Sequence, residues 1–211
     1  MSSAQTKQKI RKTALFLFNK DGFVNVRLQH ITDEAIISLG NIAYHYRTKD
    51  KIIMAIWEEL KTEQKQLLSQ FKALPLFKDI DSYLSFNFQL QQQYIFFYQD
   101  TLEVLRSYEE IAKNYREHTQ WQIQQIMGML TFNKARGALK STLNSEFYSQ
   151  RAELWVWLSE NWVNRQAIHG RNTGSLDQYK KTMWHILTPL FTQEGLKEYQ
   201  QISQLRKTSD G

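Results

Sequence analysis

The chain contains very few residues that interrupt a helix. Among its 211 residues there are only two prolines, Pro75 and Pro189, and runs of β-branched residues are scarce. Proline lacks a backbone donor and clashes with the preceding turn, so long segments without it can form continuous helices. Hydrophobic residues make up 42% of the chain, which is enough for a packed core. The sequence therefore predicts an all-α fold.

Residues 31–51, ITDEAIISLGNIAYHYRTKDK, have the pattern of two short helices around a tight turn. Helical spacing places the first over residues 27–35 and the second over 39–46, with Ser38 as the N-cap of the second. A preceding helix ends at Asp21-Gly22. Three such helices with polar groups projecting from the last are typical of a helix-turn-helix DNA reader. The predicted inward side chains are Leu28, Ile31, Ala35, Ile42 and Tyr46.

The positive charge of the chain is concentrated near this motif. Residues 1–50 contain eight Lys or Arg against four Asp or Glu, whereas the remaining 161 residues contain 19 against 17. Concentrated positive charge attracts phosphates through the release of counterions. The alternative is a solvated basic surface that has no partner. The outward polar side chains of the last short helix favour DNA, because an exposed Asn41 can bond adenine and Tyr44 can reach phosphates or base edges.

The spacing of this N-terminal segment resembles that of a known family. Residues 14–18 (ALFLF), Gly22-Phe23, Ile31 and Ala35, then residues 38–46 (SLGNIAYHY) and Lys49 are similar to the N-terminal domain of the TetR family of bacterial transcriptional regulators, over about residues 8–55. The resemblance implies a DNA-binding head at 1–50 and a helical ligand-binding and dimerisation body at 51–203. The implied function is a repressor released from a palindromic operator by a small-molecule ligand in the body. Residues 204–211 are expected to be a disordered tail.

Three positions depart from the family pattern. Ile36 stands where the family has the turn glycine, so either the turn avoids positive φ or a bulky residue is strained. Arg27 replaces a Ser or Thr and can contact phosphate but cannot cap the helix, and Ala43 replaces an aromatic residue. For Tyr44 and His45, packing against the next helix is the alternative for one of the two. The predicted DNA-contact set is Lys9, Arg11, Arg27, Leu39, Asn41, Tyr44, His45, Arg47 and Lys49.

The body pattern begins with a long helix from Lys49, followed by a connection over residues 72–78 and an aromatic helix from Asp81 to Tyr98. That aromatic helix is either a core helix covered on both faces or the wall of a ligand cavity, for which aromatic lining is common. The resemblance favours the cavity. The predicted pocket residues, on this helix and on the one predicted over 108–130, are Phe88, Tyr94, Phe97, Trp121 and Met127.

Two helices that together contain four of the six tryptophans are predicted near the C-terminus, over residues 146–168 and 176–196. Pro189 should end or kink the second near Leu187. Large aromatic residues on more than one face suggest burial against a second copy of the chain, although coverage of the chain's own body is the alternative. The predicted homodimer contacts are Leu154, Trp155, Leu158, Trp162, Tyr179, Met183, Ile186, Leu187 and Leu190.

Several chemistries lack a sequence signal. The chain has no cysteine, and its five histidines do not show the spacing of a metal site. No glycine-rich phosphate loop or nucleophile elbow occurs, so we expect neither catalysis nor a cofactor. No signal segment or membrane span is predicted, which favours a cytoplasmic protein. The expected partners are double-stranded DNA, a second copy and an unknown small-molecule effector; the alternative is a helical ligand carrier or interaction scaffold with a degenerate DNA-binding head.

Overall fold

The computed structural model describes residues 2–70, 75–171 and 173–209. Within these ranges the regular elements are helices, and the only β-type pairing is an isolated bridge between Leu139 and Phe191. The all-α prediction is therefore confirmed. The helices form a small N-terminal head and a larger body.

Three helices build the head: α1 (Ser3–Asp21), α2 (Leu28–Ala35) and α3 (Leu39–His45). Helix α1 ends at Gly22, whose φ of 76° is readily available only to glycine. The predicted inward side chains of α2 and α3 are buried or packed against the core. The core of the head contains Ile10, Ala14, Phe18, Ile31, Ile42 and Tyr46.

Helix α4 (Lys49–Gln70) extends from the head into the body and packs against both. Of the connection expected at 72–78, residues 72–74 lie outside the described residues. The predicted aromatic helix is in fact two helices, α5 (Phe77–Gln93) and α6 (Ile95–Gln99), which are separated at Tyr94. Tyr94 has φ −114° and ψ 38°, outside the α-helical region, so the break follows from its backbone conformation.

The body continues with α7 (Thr101–Ser107) and α8 (Glu109–Ala135), then α9 (Ser145–Glu160), α10 (Trp162–Ile168) and α11 (Leu176–Leu187). A short 3-10 helix follows over Thr188–Leu190, so the break predicted from Pro189 is present. Helix α12 (Gln193–Ser209) is helical over residues 204–209, where a disordered tail was expected. Residues 210 and 211 lie outside the described residues.

The body core lies between α5, α8, α9 and α11, where α8 packs on α9, and α11 packs on both α5 and α9. A buried ion pair joins α5 to α11, because Lys180 Nζ lies 2.8 Å from Asp81 Oδ2. Trp184 Nε1 donates a hydrogen bond to the other oxygen of Asp81 over 2.9 Å, so both carboxylate oxygens are satisfied. This packing fixes the positions of the helices that surround the interior cavity described below.

Candidate DNA-binding face, interior cavity and outer apolar surface

The turn between α2 and α3 contains Ile36 in the left-handed conformation, with φ 51° and ψ 56°. The second of the two alternatives for this position, a bulky residue at positive φ, is therefore the observed one. The Ile36 side chain is 86% exposed, so packing does not compensate for its backbone conformation. The backbone N–H groups of Ile36 and Ile37 donate to Asp33 O and Thr32 O, which closes the turn.

Helix α3 presents a polar outer face. The Ser38 hydroxyl accepts a hydrogen bond from Asn41 N over 3.2 Å, so Ser38 caps the helix as predicted. Asn41 is exposed, and Tyr44 is 81% exposed. The His45 ring is partly buried and lies edge-on to Tyr44, with 4.9 Å between ring centroids. Of the two aromatic side chains, Tyr44 is therefore the one that points away from the head. Leu39 is 51% exposed on the same short helix.

The predicted basic contacts fall into two groups. Arg27 and Arg47 are exposed, and neither has an ion pair to another described residue; Lys9 is partly buried. Arg27 does not cap α2 with its side chain, as expected. Arg11 and Lys49, by contrast, use their charged groups inside the head.

Arg11 donates through Nε to Glu59 Oε1 over 2.5 Å and through Nη1 to Tyr46 Oη over 2.8 Å, which ties α1 to α4 and to the end of α3. Lys49 Nζ donates to the Phe23 carbonyl and lies 5.3 Å from the centroid of the Phe23 ring. Burial lowers the pKa of Lys49. In the structure these two side chains hold the head helices in place, and their contact with phosphate stays a prediction.

A small polar cavity lies in the body between α4, α5, α6, α8 and α9. Its volume is about 10 Å³, which is room for one water molecule. Most lining side chains are polar or aromatic with a polar end. The lining residues are Gln64, Tyr83, Asn87, Gln91, Tyr98, Gln122, Ile126, Trp155, Val156, Ser159 and Glu160.

Hydrogen bonds orient one side of this cavity. Gln91 Nε2 donates to the Ser159 carbonyl over 3.0 Å, and Asn87 Nδ2 donates to Ser159 Oγ over 2.9 Å. On the opposite side Gln64 Nε2 donates to Tyr98 Oη over 2.9 Å, while Gln64 Oε1 lies 2.7 Å from His118 Nε2. Burial lowers the pKa of His118 to about 4, with Lys65 and Lys61 adding to the shift.

Other polar atoms of the lining have no hydrogen-bond partner among the described residues. These atoms are Gln91 Oε1, Gln122 Oε1 and Trp155 Nε1. Glu160 accepts a hydrogen bond from Tyr115 Oη over 2.7 Å, and burial raises the pKa of its carboxyl to about 7. Unpartnered buried polar atoms are costly, so this site is suited to a polar guest molecule.

None of the five predicted pocket residues lines this cavity. Tyr94 and Phe97 are buried in the core, and Trp121 stacks on His118 with 5.4 Å between ring centroids. Phe88 packs on Tyr179, and Met127 is partly buried against the core. The five predicted residues thus lie on helices that surround the cavity or next to them, but on other faces. The spacing i, i+4, i+8 places Tyr83, Asn87 and Gln91 on one face of α5, and this was the signal that could have found the polar lining.

Most of the predicted homodimer contacts lie inside the protomer. Trp155, Trp162, Tyr179, Met183, Ile186, Leu187 and Leu190 are at most 6% exposed. They cannot contact a second copy without unpacking the core, so their assignment to a dimer interface is corrected. Leu154 and Leu158 are partly buried on α9.

The large apolar side chains that α9 and α10 expose are Trp157, 62% exposed, and Ile168, 75% exposed. They border a surface groove of about 480 Å³ that also includes Leu158, Arg165 and Thr182. We call these five residues the outer apolar surface. Trp157 and Ile168 were not predicted, although Trp157 lies three positions after Leu154 and thus on a neighbouring part of the same helix.

The described part of the chain offers neither a metal-binding cluster nor a membrane-spanning helix. No cluster of three or more His, Asp or Glu side chains there could hold a metal ion. None of the helices there combines the length and apolar character needed to cross a membrane.

The chain was compared with known families and solved structures. Residues 54–199 match the TetR family model, described as a bacterial transcriptional repressor. A TetR-family transcriptional regulator from Marinobacter aquaeolei VT8 superposes with a TM-score of 0.82 at 25% identity, covering 97% of this chain and 98% of that one. No curated protein gives a significant match.

Two more distant structures share the fold. A TetR transcription regulator from Haloarcula marismortui ATCC 43049 has a TM-score of 0.71 at 14% identity, with 90% of this chain and all of that chain covered. A gamma-butyrolactone receptor described as ArpA-like has a TM-score of 0.70 at 13% identity, with 99% and 100% covered. The family match spans most of the body, and the similarity to the Marinobacter structure includes the head. The chain therefore belongs to the TetR family of bacterial transcriptional regulators.

Proposed function

We propose that this chain is a cytoplasmic, homodimeric repressor that binds a roughly palindromic operator and leaves it when a small molecule enters the body. The observation that supports operator binding most directly is the outer face of α3, where Asn41 and Tyr44 are exposed. An amide can make paired hydrogen bonds to adenine in the major groove. Arg27 and Arg47, exposed and without ion pairs to described residues, are the proposed phosphate contacts.

The homodimer places two heads on one operator. A pair of helix-turn-helix units binds half-sites about 34 Å apart, one turn of the duplex, so the distance between the heads decides the affinity. The outer apolar surface on α9 and α10 is the proposed contact between copies, because an exposed tryptophan beside other apolar groups is typical of interface centres.

Control by a ligand is proposed to act through the interior cavity. Tyr98, which lines this cavity, belongs to α6. Helix α6 also packs on the head, because the ring centroids of Phe96 on α6 and Phe18 on α1 are 5.3 Å apart. A ligand that favours one arrangement of α6 therefore shifts the population of head positions, by no more than its difference in affinity for the two arrangements.

The head assignment is tested with Asn41→Ala, Tyr44→Ala and Arg47→Ala, with Lys78→Ala on the exposed part of α5 as the control. Binding to operator DNA, taken from the region beside the gene, is measured by fluorescence anisotropy across a salt series. We expect Asn41→Ala to weaken specific binding by about 1–3 kcal/mol. Arg47→Ala should reduce the slope of log affinity against log salt by about 0.9. Unchanged binding in all three head variants would exclude this face as the DNA contact.

A further inference from the structure

The formal charge that the described lining of the interior cavity can carry at neutral pH is negative. Glu160 is its acidic lining residue, and none of the described Lys, Arg or His side chains lines it. The hydrogen bond that the Glu160 carboxyl receives comes from a neutral hydroxyl, that of Tyr115. Burial raises the pKa of Glu160, and among the described residues no basic side chain offsets this shift. An ionised Glu160 in this cavity therefore lacks a countercharge, which a ligand can supply.

The unpartnered polar atoms of the lining are mainly acceptors. The Gln91 amide has a fixed orientation, because its Nε2 donates to the Ser159 carbonyl, and a carbonyl can only accept. Its Oε1 therefore remains an acceptor without a partner, and Gln91 is 1% exposed. Gln122 is 7% exposed and also carries an unpartnered Oε1. A guest that satisfies these atoms must donate hydrogen bonds.

Aromatic rings complete the wall. Tyr83, Tyr98 and Trp155 line the cavity together with Glu160 and the two glutamines. The faces of such rings attract cations, and the attraction strengthens where water is excluded. A carboxylate ligand, by contrast, would be repelled by Glu160 and would leave both glutamine acceptors unsatisfied.

We propose that the cavity binds the protonated amino group of a small organic amine, with Glu160 as the counter-ion and Gln91 and Gln122 as hydrogen-bond acceptors. An ammonium group has three donors and no acceptor, so it can satisfy the two glutamine oxygens and the carboxylate, although not the unpartnered Trp155 Nε1, which is itself a donor. The cavity of about 10 Å³ accommodates the ammonium head in place of one water molecule. The carbon chain of the amine needs more space, so binding separates the surrounding helices. This assignment rests on the proposed function of the cavity as the effector site.

The test uses three probes of equal chain length and different charge: n-butylammonium chloride, n-butanol and sodium butyrate. Each is titrated into the full-length protein at pH 8, with sodium chloride at equal ionic strength as reference, and the melting temperature is recorded. We expect n-butylammonium to raise the melting temperature, and n-butanol and butyrate to have a much smaller effect. Glu160→Gln should weaken the apparent affinity for n-butylammonium by about tenfold or more.

The matched control is Glu153→Gln, an exposed carboxylate on the same helix, which should keep the response of the wild type. Gln122→Met, which keeps the side-chain volume and removes one acceptor, should weaken n-butylammonium binding while leaving n-butanol unchanged. It also provides a second readout if Glu160→Gln does not fold. An equal response to n-butanol, or an undiminished response in both cavity variants, would overturn the proposal.

Operator binding measured on the same samples separates this inference from the proposed function. If the protein binds operator DNA specifically but does not prefer n-butylammonium to n-butanol and butyrate, the amine proposal is wrong and the repressor function is unaffected. Amine binding that depends on Glu160, in a protein that does not bind operator DNA, contradicts the repressor function and leaves the amine site standing.

Discussion

At the scale of single residues, Ile36 has a backbone conformation that is unfavourable for its β-branched side chain. A β-branched residue at φ 51° is disfavoured by about 1–2 kcal/mol relative to glycine, and its 86% exposure offers no compensating contact. We expect Ile36→Gly to increase the free energy of unfolding by about 1 kcal/mol, since the entropy that glycine gains in the unfolded chain removes part of the benefit. Urea denaturation followed by circular dichroism measures the change.

Ile36→Ala is the control for this prediction, because it removes the exposed apolar group but keeps the Cβ that is unfavourable at positive φ. Alanine should therefore stabilise the protein much less than glycine. If the two variants were equally stable, the cost would lie in the exposed side chain and not in the backbone.

Two buried titratable groups of the body should give opposing pH dependences. The pKa of His118 is lowered from 6.5 to about 4, so the unfolded chain binds more protons between these values and stability falls as the pH falls through this window. The pKa of Glu160 is raised from 4.5 to about 7, so the folded state binds more protons and stability falls as the pH rises. Each slope is at most about 1.4 kcal/mol per pH unit.

Variants separate the two contributions. Between pH 4.5 and 6.5, His118→Gln should leave a protein that becomes more stable on acidification, because the Glu160 contribution remains. Glu160→Gln should leave one that becomes less stable on acidification. Unfolding free energies from urea titrations at several pH values provide the measurement, and identical pH profiles for the two variants would contradict both assignments.

At the scale of elements, the sequence predicted the helical segments well. It predicted less well whether a given face of a helix packs in the core, lines a cavity or lies at the surface. Helical spacing separated inside from outside in the head, where each short helix has one apolar stripe, such as Ile31 and Ala35. In the body, apolar side chains occur on several faces, so spacing could not distinguish the chain's own core from a cavity or a second copy. Tyr179 and Met183, both fully buried, were assigned to a dimer for this reason.

The break between α5 and α6 could not be predicted because it depends on contacts distant in sequence. Asn19 of α1 donates through Nδ2 to the Gln93 carbonyl over 2.8 Å, and its Oδ1 accepts from Phe96 N over 3.1 Å. One side chain of the head thus satisfies a backbone acceptor and a backbone donor on the two sides of Tyr94. Such partners lie too far along the chain to appear in a local pattern.

The Asn19 contacts should hold α6 in place. In Asn19→Ala the Gln93 carbonyl and the Phe96 N–H lose their partner, at a cost of about 1–3 kcal/mol. We expect amide hydrogen exchange in α6 to accelerate by about tenfold or more, measured by mass spectrometry on the full chain. Asn25→Ala is the control, because the Asn25 side chain donates to the nearby Asp21 carbonyl and, among the described residues, makes no hydrogen bond to α6. Unchanged exchange in α6 of Asn19→Ala would show that aromatic packing alone holds this helix.

At the scale of the whole molecule, the proposed repressor requires two heads at a fixed separation, so its pairing surface decides its function. Burying Trp157 and Ile168 against a second copy removes two of the largest exposed apolar groups of the body from water. A symmetric dimer presents each substitution twice, once from each copy. Trp157→Glu should therefore weaken the dimer by about a hundredfold or more, because it places two carboxylates near the centre of the contact.

Sedimentation velocity at micromolar concentration measures this effect, with Leu102→Glu as the control. Leu102 is 67% exposed on α7, close to the 62% of Trp157, so both variants place a charge at an exposed apolar position. We expect Leu102→Glu to remain dimeric and Trp157→Glu to become monomeric. The monomer should also bind a palindromic operator more weakly. In the dimer, binding of one head raises the effective concentration of the other head at its half-site, and the monomer lacks this effect. A monomeric wild type at this concentration would remove the pairing surface and the two-headed mechanism together.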